Sequence, residues 1–353
     1  MKSEHGGNIY KYKERMYDFS ANLNPLGMPR ELKKAIVANL DSYEPYPDPY
    51  NRELCEALAE YHEVSPEQVT CGNGAEDVIY RVVCALKPKK ALLIVPTFSE
   101  YEEALETFGC EINYFYLRDE EDFVLNDRVL TDIDTGEYDL VFLCNPNNPT
   151  GITAGQKSVM SIIYACHRTG AKLVIDECFM EFVLDCESYS VMEEISLLPD
   201  VIVLKSFTKM YAMAGIRLGY CVCGDSALAK KIQECLTRWP VSTVASKVGI
   251  TALKAEDYVD RAKAFIAVER EKMIAGLLSL GLKLYDSRAN YIFFRSRIKL
   301  DEALLKKGIM VRNCSNYEGV FQSEISERYY YRIAVRTANE NQYLIERLTE
   351  ILL

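Results

Sequence analysis

The sequence predicts an α/β protein: a mostly parallel sheet with helices on both faces, followed by a smaller α+β domain. Three observations carry this. From Ala91 to Cys223, short apolar runs (Ala91–Val95, Tyr138–Cys144, Lys172–Ile175, Val201–Leu204, Leu218–Cys223) are separated by segments that include stretches of helical length, and strands apolar on both sides belong to a helix-covered parallel sheet. Past Thr243 the pattern changes to long helices and two β-rich segments, RANYIFFRS and YYYRIAVRT. Finally, 353 residues exceed what one core usually holds, so a large domain with a smaller one is expected. The resulting division is an N-terminal segment, 1–40, packing with the small domain, a large ligand-binding domain, 41–243, and a small C-terminal α+β domain, 244–353.

Taken in order, the chain starts with two turn-rich stretches, HGGN (His5 to Asn8) and DFSANLNPLG (Asp18 to Gly27), where glycine, asparagine and proline favour close backbone approach. Alone, HGGN reads as a loose terminus. Pro29–Leu40 has helical spacing, and YEPYPDPYNREL then crowds three prolines into an extended loop that cannot turn helical before Asn51. Glu53–His62 reads as a surface helix. A short strand enters CGNGAEDVIYRVVCAL, a glycine-rich turn opening a helix near Ala75, whose free amides suit a phosphate. Gly72 and Gly74 begin a dinucleotide fingerprint, but its third glycine and distal acid are missing, so NAD is not expected. Ser99–Phe108 is a helix, Ile112–Leu117 a strand and Lys157–Thr169 a helix. Val244–Ala255 and Asp257–Leu280 are helices, and a last helix runs to Leu353. No internal repeat appears.

Composition narrows the partners. With 49% apolar and 26% charged residues the chain has the make-up of a soluble globular protein. A net charge of −11 argues against nucleic acid or an anionic membrane as partner, while small anions could still be held locally. No leader-like start and no apolar run of spanning length is read, so the expected location is cytoplasmic. Cysteines such as Cys84, Cys110, Cys144 and Cys178 fall singly in apolar runs, and three scattered histidines without a CxxC make a metal site unexpected.

Three residues stand just beyond strand ends: Asn148 in NPNNPTG, Asp176 in DECF and Lys209 in SFTK. Open α/β sheets place functional groups at such ends. Around Lys209 gather Ser206, Thr208 and Arg217, a set that can hold a phosphate beside a reactive amine. Asp176 follows an apolar strand, and a carboxylate buried there is costly without a cationic partner; a pyridinium would be one, and capping the next helix is the plainer alternative. Tyr46 and Tyr101, taken alone, read as aromatic packing.

Together HGGN, DFSANLNPLG, YPDPY, GNGAED, PTFSEY, NPNNPTG, IDECF, SFTKMYAMAGIRLGY, RNCSNY and YYRIAVRT resemble the threonine-phosphate decarboxylase and histidinol-phosphate aminotransferase branch of the class I/II aminotransferase-like enzymes. The resemblance covers nearly the whole chain. It implies an aspartate aminotransferase-like fold and pyridoxal 5'-phosphate carried on Lys209 as a Schiff base. By the same resemblance Asp176 meets the pyridine nitrogen, Asn148 the ring's 3-oxygen, and Tyr101 stacks on the ring. The phosphate would meet the amides of Gly74, Ala75 and Glu76, with Ser206, Thr208 and Arg217. Tyr46 would reach into the partner's site of a homodimer. His5, Asn22, Arg312 and Arg332 would contact substrate, the two arginines forming rigid forks for its anionic groups; Arg336 lies outside that pair and reads as surface.

Related transaminases carry tyrosine three residues after the aspartate, where this chain has Phe179. The decarboxylase branch shows phenylalanine there, so the resemblance implies decarboxylation of L-threonine O-3-phosphate to (R)-1-amino-2-propanol O-phosphate in cobalamin biosynthesis. A histidinol-phosphate-type aminotransferase is the alternative. A protein of this fold without turnover is the third reading, opposed by the intact Lys209, Asp176 and Arg217.

Overall fold

The computed structural model describes residues 6–320 and 327–353. After β1 (Tyr17–Asp18), α1 (Arg30–Ala38) and α2 (Arg52–His62), the chain enters a seven-stranded sheet at β2 (Val69–Gly72). It continues through α3 (Ala75–Leu86), β3 (Lys90–Val95), α4 (Glu100–Thr107), β4 (Glu111–Tyr116), α5 (Arg128–Gly136) and β5 (Leu140–Cys144). Then come α6 (Gln156–Thr169), β6 (Lys172–Asp176), β7 (Val201–Ser206), the single turn α7 (Phe207–Met210) and β8 (Gly219–Cys223).

The strand order is β2-β8-β7-β6-β5-β3-β4. Every pairing from β7 to β4 is parallel, and β8 alone runs against its neighbours. The sequence dictates this arrangement. Leu140–Cys144 and Val201–Ser206 are buried along their whole length, so helices must cover both faces, and each fully enclosed Val, Leu or Ile contributes about 1.5–3 kcal/mol. Register places Cys144 opposite Asp176 and Asp176 opposite Leu204. The C-terminal ends of β5, β6 and β7 therefore form one row, from which Asn148, Asp176 and Lys209 emerge.

The rest of the chain supplies α8 (Ser226–Gln233), α9 (Thr243–Ala252), α10 (Glu256–Ser279), β9 (Lys283–Leu284), β10 (Tyr291–Ser296) and α11 (Asp301–Lys306). After these come β11 (Ile309–Met310), β12 (Arg312–Asn313), β13 (Tyr329–Ala334) and α12 (Ala338–Leu352). The order β12-β13-β10-β9 makes an antiparallel sheet, and α10 packs with α12.

The N-terminal segment joins this part of the molecule: β1 pairs with β11, and Phe19 exchanges backbone bonds with Met310 and Ala334. Helix α9 leans the other way, its Gly249 lying against Leu54, Phe207 and Leu218. Among the described residues no helix is long and apolar enough to cross a membrane.

Candidate active site

The row of strand ends forms one wall of a cleft of about 230 Å³. The other walls come from Ser20, Ala21 and Asn22 of the N-terminal segment and from Arg312, Tyr317 and Arg332 of the antiparallel part.

Lys209 sits on α7, a turn begun by Ser206, whose hydroxyl accepts the Thr208 N–H at 3.2 Å. Burial lowers its pKa to about 8, helped by the charges of Arg332 and Arg217 and opposed by Cys178 and Asp176. The amine is thus partly free near neutral pH. Asp176 ends β6 and is buried; its Oδ1 accepts the Cys178 N–H at 2.9 Å and its Oδ2 the Tyr101 hydroxyl at 2.5 Å.

An anion cradle adjoins the lysine. Gly74 takes a left-handed φ of +86°, and a Cβ there would lie 2.7 Å from Arg217 Nη2. Arg217 is itself left-handed at φ +61°, with Nη2 3.3 Å from a Glu76 carboxylate oxygen. Gly219 passes so close beneath the start of α3 that a Cβ would come within 2.3 Å of the Ala75 nitrogen. Ala75 and Glu76 open α3 with amides lacking intrahelical partners, and Ser206, Thr208 and Arg217 line the same corner.

Opposite stand the arginines. Arg312 and Arg332 face each other across β12 and β13 and are 8% and 6% exposed. Arg332 donates to Asn148 Oδ1 and, at 2.8 Å, to the Ser20 carbonyl. Arg312 donates to Asn316 at 2.9 Å and lies over the Tyr317 ring. Arg332 Nε and Asn22 Oδ1 are buried with no hydrogen-bond partner, a donor and an acceptor left over in a cleft wall.

The structure thus gathers Lys209, Asp176, Asn148, Asn22, Ala75, Glu76, Ser206, Thr208, Arg217, Arg312 and Arg332 around one cavity, with Gly74 against Arg217. Tyr101 is a correction. Fully buried, it stacks on Phe142 with centroids 4.7 Å apart and bonds Asp176 from behind, so it has no face to offer a ligand ring. Phe98, in the loop just before α4, lines the cleft instead.

Tyr46 is 83% exposed, stacked on Trp239 and away from this cleft. His5 lies outside the described residues. Arg336 pairs with Glu340 at the start of α12. Sequence reasoning missed Phe98, Glu100, Cys178 and Tyr317 as lining residues; PTFSEY and RNCSNY contained three of them without saying which side chains face inward. Among the described residues no group of three or more His, Cys, Asp or Glu side chains is arranged to hold a metal ion.

A depressed amine, a buried anion, an anion cradle and an aromatic wall are what a phosphorylated, cationic nitrogen heterocycle bearing an aldehyde requires, so these residues fit pyridoxal phosphate.

Comparison with known proteins agrees with that chemistry. A family model described as aminotransferase class I and II matches residues 14–348. Threonine-phosphate decarboxylase of Salmonella typhimurium is 35% identical over 99% of this chain and 97% of its own length. Histidinol-phosphate aminotransferase of Methanococcus aeolicus is 29% identical over 99% of this chain and 94% of its own. The crystal structure of the histidinol-phosphate aminotransferase of Clostridium acetobutylicum superposes with a TM-score of 0.87 at 28% identity, covering 95% of this chain and 99% of that one.

Proposed function

The chain belongs to the class I and II aminotransferase family, and from that membership we propose a pyridoxal phosphate-dependent decarboxylase that converts L-threonine O-3-phosphate to (R)-1-amino-2-propanol O-phosphate, a step in cobalamin biosynthesis. The observation that carries the reading is the opposed pair Arg312 and Arg332 in the wall of the Lys209 cleft. Two buried guanidinium forks suit an amino acid bearing both a carboxylate and a phosphate.

Bound at this site, pyridoxal phosphate supplies an electron sink for a bond broken at the substrate's α-carbon. Asp176 would keep the ring nitrogen cationic. Asn148 Oδ1 accepts from Arg332 and, at 3.5 Å, from Tyr317, which leaves its amide nitrogen as the donor for the ring's 3-oxygen. The amides of Ala75 and Glu76, with Ser206, Thr208 and Arg217, would hold the phosphate, whereas the Gly74 N–H already donates to the Gly72 carbonyl at 2.8 Å; Phe98 would lie against the ring.

The arginines and Asn22, which line the cleft, would then hold the substrate's anionic groups and so decide which α-carbon bond is broken. With the carboxylate so held, the C–C bond would break, carbon dioxide would leave, and Lys209 Nζ would deliver a proton to the α-carbon. His5 remains a candidate substrate contact. We place the active unit as a homodimer in which Tyr46 reaches the partner's site.

The second reading, a histidinol-phosphate-type aminotransferase, has the same cleft with Lys209 removing the α-proton instead, and the Methanococcus aeolicus relative favours it. Incubating the cofactor-loaded protein with L-threonine O-3-phosphate should release carbon dioxide. Histidinol phosphate with 2-oxoglutarate should yield no glutamate. Glutamate without carbon dioxide would reverse the assignment, and neither product from a protein that binds the cofactor would point to a member without turnover.

A further inference from the structure

The side chain that departed from its expected place carries a role of its own. Tyr101 comes from the first turn of α4, Phe142 from β5 and Asp176 from β6, so three regular elements fix their relation. The Tyr101 ring lies parallel to Phe142, 15° between planes, and makes a T-shaped contact with Phe98 at 85° and 5.7 Å. Phenylalanine would fill that space equally well. A hydroxyl in so dry a place costs free energy unless it is paired, and its carboxylate partner is Asp176 Oδ2 at 2.5 Å.

Burial and the charge of Asp176 drive the phenol well above its ordinary pKa, so it stays a donor throughout the working range. Cys178 N–H holds the other carboxylate oxygen, and the titratable groups facing Asp176 are Lys209, Cys144, Cys178 and Tyr291. Among these partners only Tyr101 supplies a side-chain hydroxyl bond from behind the carboxylate, on a rigid support.

We propose that Tyr101 is a positioning residue, whose hydroxyl fixes the orientation of Asp176 so that this carboxylate can receive the cationic ring nitrogen of the cofactor. The proposal rests on the pyridoxal phosphate reading above. It assigns Tyr101 a function through Asp176 and no contact with the ring.

Tyr101→Phe tests it. Unliganded wild type and variant are first compared by thermal unfolding, then each is titrated with pyridoxal phosphate and with its 1-deaza analogue, in which CH replaces the ring nitrogen. The variant should bind pyridoxal phosphate roughly tenfold more weakly, as losing a hydrogen bond to a charged group implies, and the pH midpoint of its visible band should move. Binding of the deaza analogue should be unchanged. Equal losses with both ligands would reduce Tyr101 to packing, and unaltered affinity and midpoint would also overturn the proposal. A wild-type protein that forms no visible band with pyridoxal phosphate would instead remove the cofactor reading itself.

Discussion

Arg312 and Arg332 are directly opposed residues of antiparallel strands, both buried in the wall of the cleft that holds Lys209. Like charges so placed repel, and a bound dianion would relieve the repulsion. Arg332→Gln should therefore lower kcat/KM for the phosphorylated amino acid by roughly 100-fold, the cost of losing a charge-assisted fork. Because the Arg332 charge also helps depress Lys209, the same variant should raise the pH at which this amine deprotonates. Steady-state kinetics and a pH titration check the two effects separately.

Lys209 itself gives a pH signature. Burial first, then Arg332, lowers its pKa to about 8 from an ordinary 10.5. Between these values the unfolded chain binds the proton and the folded one does not, so stability of the unliganded protein should rise with pH across the window. Lys209→Gln should lose that rise in urea unfolding measured from pH 7.5 to 10.5. Covalent capture of pyridoxal phosphate by wild type should accelerate through about pH 8; acceleration only near 10.5 would mean the amine is not depressed.

The sequence exposed the parts of the site that regular structure delivers. Asn148, Asp176 and Lys209 were legible because each follows an apolar run of strand length, and neighbouring parallel strands end on the same side. Facing was harder. In PTFSEY, Phe98 and Tyr101 are three residues apart, and which ring meets the cleft depends on where α4 begins: Phe98 precedes it and Tyr101 is carried under it. Helices α5 and α8 went unread although each buries an apolar stripe at helical spacing, Val129 and Ile133 in one and Leu228, Ala229 and Ile232 in the other, because each is little more than two turns long. The reversed direction of β8 left no mark either, since Leu218–Cys223 is apolar whichever way it runs.

Contacts between distant segments were equally hidden, and Asp119 is the clearest case. Just after β4, it accepts hydrogen bonds from Lys283 at 3.0 Å, Tyr330 at 2.9 Å, and Tyr285 and Arg295, all from the C-terminal part. Burial would raise its carboxyl, but the bonds from Tyr285, Lys283 and Tyr330 and the charge of Arg295 outweigh it and hold the pKa at about 2. The stability it contributes is complete above its unfolded pKa near 4 and fades as pH falls toward 2. Asp119→Asn should cost roughly 1–2 kcal/mol at pH 7 by removing the carboxylate that Arg295, Tyr285 and Tyr330 share, while Lys283 keeps Asp122 at 2.8 Å. In denaturant titrations the gap from wild type should close between pH 4 and pH 2.

Tyr46 and Trp239 form a stacked pair, 83% and 49% exposed, a costly display for aromatic surface unless a partner covers it. If Tyr46 completes the site of a second copy, variants Tyr46→Ala and Lys209→Ala should each be inactive as homodimers. Mixed after mild denaturation they should regain about a quarter of wild-type activity, because half the dimers are hybrids with one intact site each. No recovery in verified hybrids would confine Tyr46 to its own chain.

Two glycines separate cofactor affinity from folding. At Gly74 the φ of +86° disfavours any side chain, and an added Cβ would press on Arg217 Nη2, the movable end of a partly exposed arginine. At Gly219 the Cβ would strike the Ala75 backbone, which cannot yield without lifting α3 off β8. Gly74→Ala should fold with a loss of about 1–2 kcal/mol from backbone strain but bind pyridoxal phosphate at least roughly tenfold more weakly, because Arg217 is pushed out of the cradle. Gly219→Ala should mainly destabilise the fold, by about 2–3 kcal/mol for overpacking against backbone. Thermal unfolding of the unliganded variants beside cofactor titration reads both quantities. A Gly74→Ala protein that melts early yet binds normally would mean the glycine serves the turn and the cradle needs no such clearance.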